Sequence, residues 1–248
     1  MEKLAILGTG DTPSPDEATP EPITGAARRF HPELRAVPGA VFPRNPGARE
    51  ISAHAYLQAG LEAEREGYAG LYINTVGDYG IAELREAANI PVTGAGEGAI
   101  RTAQAGARRF AIVTIWPPSL RFVYDAALAA TNAREDCVAI RHLSGDADLA
   151  TLGQADNFVQ EMQACGMTSM AKIRAVCMRA LEQDGADVIV LGCTCMHPVA
   201  ELLEADGLSI IEPMAAGYRH LESLVSARSS ERPTDRAAGH APSPGASR

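Results

Sequence analysis

Residues 67–87 read GYAGLYINTVGDYGIAELREA, and residues 185–205 read GADVIVLGCTCMHPVAELLEA. Aligned without gaps, Gly67 falls on Gly185, Ala82-Glu83-Leu84 on Ala200-Glu201-Leu202, and Glu86-Ala87 on Glu204-Ala205. Each copy is an apolar run, a polar loop and a helical pattern, which reads as strand–loop–helix. A duplicated unit of this kind predicts two similar lobes facing one cleft. At the loop the second copy has Cys193 and the first has Thr75. One wall of the cleft is therefore expected to carry a thiol and the other a hydroxyl.

The rest of the chain continues the alternation. Lys3–Leu7 is an apolar strand ended by Gly8-Thr9-Gly10. Residues 11–50 are rich in Pro and Gly and predict a long functional loop or flap, with a short strand around Val37–Phe42. Ile51–Glu66 has helical spacing, Gly70–Thr75 reads as a strand, Ile81–Ala88 as a helix and Ile90–Thr93 as a strand. Gly94–Gly98 reads as a turn before a helix at Ala99–Ala105. In the second half the expected strands are Arg109–Ile115, Val138–Leu143, Ala186–Leu191 and Ser209–Glu212. The expected helices are Pro118–Ala130, Asn157–Asp184 with a break near Gly166, Pro198–Glu204 and Ala215–Ser226. Such alternation predicts an α/β fold in which parallel sheets are flanked by helices. Ligands of these sheets sit beyond the carboxyl ends of the strands, where Thr75 and Cys193 both fall. Residues 227–248 are polar and bear Pro and Gly, which predicts a disordered tail.

Composition narrows the function. Of 248 residues, 46% are hydrophobic and only 5% aromatic, so the core must be built mainly from aliphatic side chains. A net charge of −9 argues against a nucleic-acid partner, which needs a clustered basic face. No apolar run approaches the roughly 20 residues that span a bilayer, so no membrane partner is expected. The segment MEKLAILGTG reads as a first strand rather than a signal peptide, and a cytoplasmic location is expected. There Cys137, Cys165, Cys177, Cys193 and Cys195 would be thiols rather than disulfides.

Cys193 follows an apolar strand and precedes a helix. The N–H groups and positive end of that helix favour a thiolate and can hold an oxyanion. The other reading of a cysteine, a small buried hydrophobe, suits Cys137, Cys165 and Cys177. Cys195 and His197 stand close to Cys193 in sequence. Zinc is a competing reading of the three, but no second ligand pair with structural spacing exists. His197 is either an acid or donor at the site or the cap of a turn. Gly8-Thr9-Gly10 and Gly94–Gly98 lack the dinucleotide spacing and read as tight turns whose N–H groups face a ligand. No Walker lysine motif or G-x-S-x-G elbow is present.

Together these residues resemble the aspartate/glutamate/hydantoin racemase superfamily, and most of all its hydantoin and allantoin racemase branch. The resemblance rests on Thr75-Val76-Gly77-Asp78-Tyr79-Gly80, Ile90-Pro91-Val92, Gly96-Glu97, Arg109–Thr114 and Leu191-Gly192-Cys193-Thr194. It spans roughly residues 1–225. It implies two pseudo-symmetric lobes: a first of 1–105 plus 206–226, to which the C-terminal strand and helix return, and a second of 106–205. It also implies chemistry without cofactor or metal, in which two cysteines pass a proton across a carbon next to a carbonyl. Cys193 matches the second cysteine, and Thr75 stands where the first belongs. A threonine hydroxyl is too weak an acid to act as a base, but it can donate to an oxyanion. Asp78 and Tyr79 are the nearest candidates for a missing base. Gly8, Thr9, Asn74, Val76, Thr114, Thr194, Cys195 and His197 are expected to complete the substrate pocket. The implied function is a racemase or isomerase acting beside a carboxylate or cyclic imide carbonyl through an enediolate. The one thiol also resembles arylmalonate decarboxylase, and a catalytically silent ligand-binding homologue is a third reading. The substrate would be a small carboxylate or hydantoin-like molecule. Arg28, Arg29, Arg35 and Arg44 of the 11–50 segment would supply charge, and the protein would be a homo-oligomer.

Overall fold

The computed structural model describes residues 1–8, 18–106 and 108–231. The first half runs β1 (Lys3–Leu7), α1 (Glu21–Ala26), β2 (His31–Arg35), α2 (Pro46–Arg65), β3 (Gly70–Ile73), α3 (Ile81–Ala87), β4 (Val92–Gly94) and α4 (Ala95–Ala105). The second runs β5 (Phe110–Thr114), α5 (Arg121–Ala130), β6 (Cys137–His142), α6 (Phe158–Gln163), α7 (Met167–Glu182), β7 (Val188–Leu191), α8 (His197–Ala205), β8 (Ile210–Ile211) and α9 (Pro213–Glu231). Each half forms a parallel sheet. The orders are β2-β1-β3-β4 and β6-β5-β7-β8, the same winding twice. β3, β5 and β7 are buried at every residue, because helices cover both faces of each sheet.

The repeat is structural as well as sequential. β3 starts and ends on the positions that the alignment matches to the ends of β7. Gly67 and Gly185 both precede their strands with positive φ, 90° and 73°. An L side chain there would be strained, which explains why the repeat keeps glycine.

The structure corrects four expectations. Residues 18–50 are not one loop: they hold α1, β2 and the start of α2, and no strand forms at Val37–Phe42. β2 is an edge strand whose sequence, HPELR, is polar enough to hide it; an edge tolerates Pro32. α2 begins at Pro46 because Asn45 caps it, accepting from the Ala48 N–H at 2.9 Å. Gly94–Gly98 is not a ligand-facing turn, since α4 starts at Ala95. A Cβ on Gly98 would lie 2.3 Å from the Gly217 Cα, so glycine there lets the backbones of α4 and α9 touch. The C-terminal strand does not return to the first lobe. β8 pairs with β7 in the second sheet, and only α9 crosses back to pack on α4 and α1. Finally, α9 continues to Glu231, so 227–231 are helical; the remainder of the expected tail, 232–248, lies outside the described residues.

Between the sheets the core is continuous. Leu4, Ile6 and Tyr72 of the first sheet share one apolar cluster with Phe110, Ile112 and Val188 of the second. Residues of α4 and α9 fill the space between them. This shared layer fixes the two sheets against each other, and with them the loops at their carboxyl ends.

Candidate active site

The loops after β3 and β7 meet. The Thr194 hydroxyl donates to the Asn74 carbonyl at 3.5 Å, joining them directly. Beside this contact lies a cavity of about 420 Å³. Thr75, Val76 and Gly77 line one side, and Gly192, Cys193, Thr194 and Cys195 the other. The cavity thus sits where the repeat placed it, between Thr75 and Cys193.

Thr75 is 8% exposed, and its hydroxyl has no hydrogen-bond partner among the described residues. A buried hydroxyl left unpaired costs about 1–3 kcal/mol, which a ligand oxygen would recover. The Asn74 side-chain oxygen is likewise unpaired. Opposite, Cys193 precedes the short 3-10 turn Thr194–Met196, which runs into α8. The Cys195 N–H donates to the Cys193 sulfur at 3.1 Å. An N–H so aimed, at the positive end of a helical segment, stabilises sulfur as thiolate.

One expectation about this sulfur is corrected. Cys193 and Cys195 are joined as a disulfide, whereas thiols were expected. The tight turn holds their Cα atoms 5.1 Å apart, inside the span that a disulfide bridges. Cys137, Cys165 and Cys177 are free, and burial pushes the Cys177 thiol up to about 12. It packs as a hydrophobe.

The remaining expected site residues separate into layers. Thr114 is fully buried behind the cavity wall. Its hydroxyl shares a short hydrogen bond with the Tyr124 hydroxyl, which also donates to the Gly192 carbonyl at 2.8 Å. A Cβ on Gly192 would lie 2.5 Å from the Thr114 Cβ, so glycine lets this pair hold the Cys193 loop. The Gly8 carbonyl accepts from the Tyr56 hydroxyl at 3.0 Å, one layer behind the wall. His197 opens α8, half-buried and away from the cavity lining; burial lowers its pKa. Thr9 lies outside the described residues. Cys193, Cys195 and His197 form no metal-binding group among the described residues.

Neither nearby candidate fits a general base. Asp78 is buried below the loop with φ 45°, and its carboxylate accepts from the Gly96 N–H at 3.0 Å and the Glu97 N–H at 2.6 Å. Those N–H groups, expected to face a ligand, are taken by the protein's own carboxylate. Burial pushes Asp78 up to about 8, against the pull of the two N–H bonds. Tyr79 does line the cavity, but burial raises its pKa far above neutrality. The arginines of the 18–50 segment also stay out of the lining, although Arg49 lies over the Tyr79 ring, 5.9 Å from its centre. Arg28 bonds the Gly25 and Ala27 carbonyls, Arg29 reaches Ser226, Arg35 pairs with Glu66, and Arg44 lies over the Phe42 ring.

Sequence reasoning missed the apolar wall. Phe42, Tyr56, Trp116, Leu120, Val123 and Tyr124 line the cavity. Trp116 had a signal, since it follows the carboxyl end of β5. Phe42 and Tyr56 had none, because their approach depends on how the 36–45 segment and α2 pack.

The family model for Asp/Glu/hydantoin racemases matches residues 34–221. A hydantoin racemase from Pseudomonas sp. (strain NS671) is 28% identical over 176 residues, spanning 71% of this chain and 66% of that protein's length. Among solved structures, allantoin racemase from Pseudomonas fluorescens superposes with a TM-score of 0.74 at 19% identity, covering 91% of this chain and 92% of that one. Arylmalonate decarboxylase superposes with a TM-score of 0.57 at 15% identity, covering 90% and 92%. With three-quarters of its length matched in this way, and the same two-sheet fold, the chain belongs to the Asp/Glu/hydantoin racemase family.

Proposed function

We propose that this protein is a cofactor-independent racemase that takes a proton from, and allows its return to, a carbon flanked by a carbonyl. The single observation that carries the reading is the unpaired, buried Thr75 hydroxyl lining the same cavity as the Cys193 sulfur. In this reading the Cys193 thiolate removes the proton and becomes a thiol. The electron pair moves onto the carbonyl oxygen, as an enolate for an imide or an enediolate for a carboxylate. Thr75 and nearby N–H groups hold that oxygen, and the Thr194 hydroxyl can join them by leaving the Asn74 carbonyl. Cys193 and Cys195 stand on the same wall and the Thr75 side carries no side-chain base, so water delivers the proton to the opposite face, and the hydroxide left behind takes the proton from the Cys193 thiol.

The lining contains no Lys, Arg, Asp or Glu among the described residues, and the sequence of residues 9–17 contains no Lys or Arg. A dicarboxylate would lie there without a counter-charge, at high desolvation cost. A neutral cyclic imide of the hydantoin type fits better, and its ring acidifies the reacting carbon. Decarboxylation is the second reading, favoured by the Thr75 position: loss of carbon dioxide creates the enediolate without a base, and Cys193 need only protonate it.

The test is turnover in deuterated buffer with a thiol reductant, because the disulfide must open before Cys193 can carry a proton. Racemisation exchanges the α-hydrogen for deuterium with no carbon dioxide released; decarboxylation releases it. Cys193→Ala is expected to lower either rate by about 10³-fold. Retained turnover in that variant would remove the thiol from the mechanism. Binding without exchange or loss of carbon dioxide would favour a silent homologue. Protein oxidised before assay is expected to be inactive and to recover on reduction.

A further inference from the structure

Resting on the reading of a cyclic imide held at Thr75, we infer that Phe42 and Trp116 determine specificity. They select an imide with an apolar, preferably aryl, substituent and reject one with a ureido group. The two rings come from opposite halves of the molecule: Phe42 from the segment between β2 and α2, Trp116 from the loop after β5. Their centroids lie 4.9 Å apart at an interplanar angle of 51°, and both line the cavity. The wall is supported from other elements. Phe158 of α6 meets Trp116 edge-on at 5.8 Å. His142 of β6 is hydrogen-bonded to the Trp116 carbonyl at 2.8 Å. The Arg44 guanidinium lies 5.9 Å from the Phe42 ring centre. Val41, Pro43, Leu120 and Val123 extend the apolar surface.

The polar side chains of the lining are mostly engaged already. The Ser52 hydroxyl donates to the Val41 carbonyl at 2.6 Å and accepts from the Val41 N–H at 3.1 Å. Tyr56 donates to Gly8, Tyr124 to Gly192 and Thr194 to Asn74. The Thr75 and Tyr79 hydroxyls and the Trp116 indole N–H remain, and none of the three is a dedicated acceptor for an added N–H. A ureido substituent would bring several N–H donors against a wall whose one polar side-chain group, the Trp116 indole N–H, is itself a donor. Each buried unpaired group weakens binding, while an aryl group gains buried area and ring contacts.

Trp116 is the sole tryptophan of the chain, so its fluorescence reports cavity occupancy without any need for turnover. The experiment titrates the reduced full-length protein with 5-benzylhydantoin and, separately, with allantoin. The benzyl ligand is expected to shift Trp116 emission and to bind at least about tenfold more tightly than allantoin. Phe42→Ala is expected to weaken the benzyl ligand about tenfold and allantoin less than about twofold; Phe42→Leu, still apolar, should lose less than about threefold. Should Phe42→Ala fail to fold by circular dichroism, Phe42→Gln takes its place and must narrow the gap between the ligands. Equal affinities in the wild type, equal losses for both ligands in the variant, or an unchanged Trp116 emission with both would overturn the inference. Preference without α-hydrogen exchange would sink the catalytic reading and leave this one standing; exchange without preference would do the reverse.

Discussion

At the scale of single residues, two buried groups have opposite stakes in stability and function. Thr75 keeps an unpaired, buried hydroxyl at the edge of the cavity. Thr75→Val keeps the shape and removes the unpaired group, so the variant should be as stable as the wild type or up to about 1 kcal/mol more stable. Its turnover should fall by about 10²-fold, because a donor to the developing oxyanion is lost. Paired thermal melts and rate measurements check both halves; unchanged turnover would strip Thr75 of the proposed part. Asp78 ties the same loop to the first turn of α4. Burial raises its pKa from an ordinary 3.8 to about 8, so the folded protein binds a proton there that the unfolded chain gives up above about 4. That contribution to stability is full below about pH 4 and is lost as pH rises towards about 8. Denaturant titrations of Asp78→Asn, which cannot titrate, should show a flatter stability curve across this window than the wild type.

At the scale of elements, the contact between α4 and α9 is set by glycine. Alanine in place of glycine favours a helix by about 1 kcal/mol through backbone entropy. At Gly98 the added carbon would press on the backbone of Gly217, which no side-chain rotation relieves. Overpacking of this kind costs about 1–3 kcal/mol or more, so the clash wins and Gly98→Ala should be less stable by about 2 kcal/mol. Gly47, in the first turn of α2, is the contrast: its added carbon would find only the Asn45 side-chain oxygen at 3.5 Å. Gly47→Ala should be neutral or stabilising by up to about 1 kcal/mol. Urea midpoints of the two variants should move in opposite senses, and a stable Gly98→Ala would contradict the close helix contact.

At the scale of the whole molecule, α9 ties the second half of the chain to the segment between α1 and β2. One oxygen of the Glu222 carboxylate accepts from the N–H groups of Arg28, Arg29 and Phe30, at 3.0, 3.1 and 3.2 Å. The Tyr218 hydroxyl donates to the Phe30 carbonyl at 3.3 Å. Hydrogen bonds to a charged group contribute about 1.5–3 kcal/mol, so Glu222→Gln should lower unfolding free energy by about 2 kcal/mol. The loss should appear in urea unfolding monitored by circular dichroism. An unmoved midpoint would mean that apolar packing of α9 alone holds the N-terminal segment.

The duplicated unit was legible in the chain because both of its signals are local. Apolar runs of strand length, the helix pattern behind them and the glycines at positive φ depend only on neighbouring residues. They sufficed for two parallel sheets and for Thr75 and Cys193 at matching carboxyl ends. Tertiary structure alone decided what has no local signature. β2 forms because β1 offers an open edge to a polar segment, and β8 joins the second sheet because β7 is beside it. Asp78 takes the free N–H groups at the start of α4 because two loops converge there, and the aromatic wall exists because segments from both halves close over one space. Burial and pairing across long sequence distances are properties of the packed chain, and no window of sequence contains them.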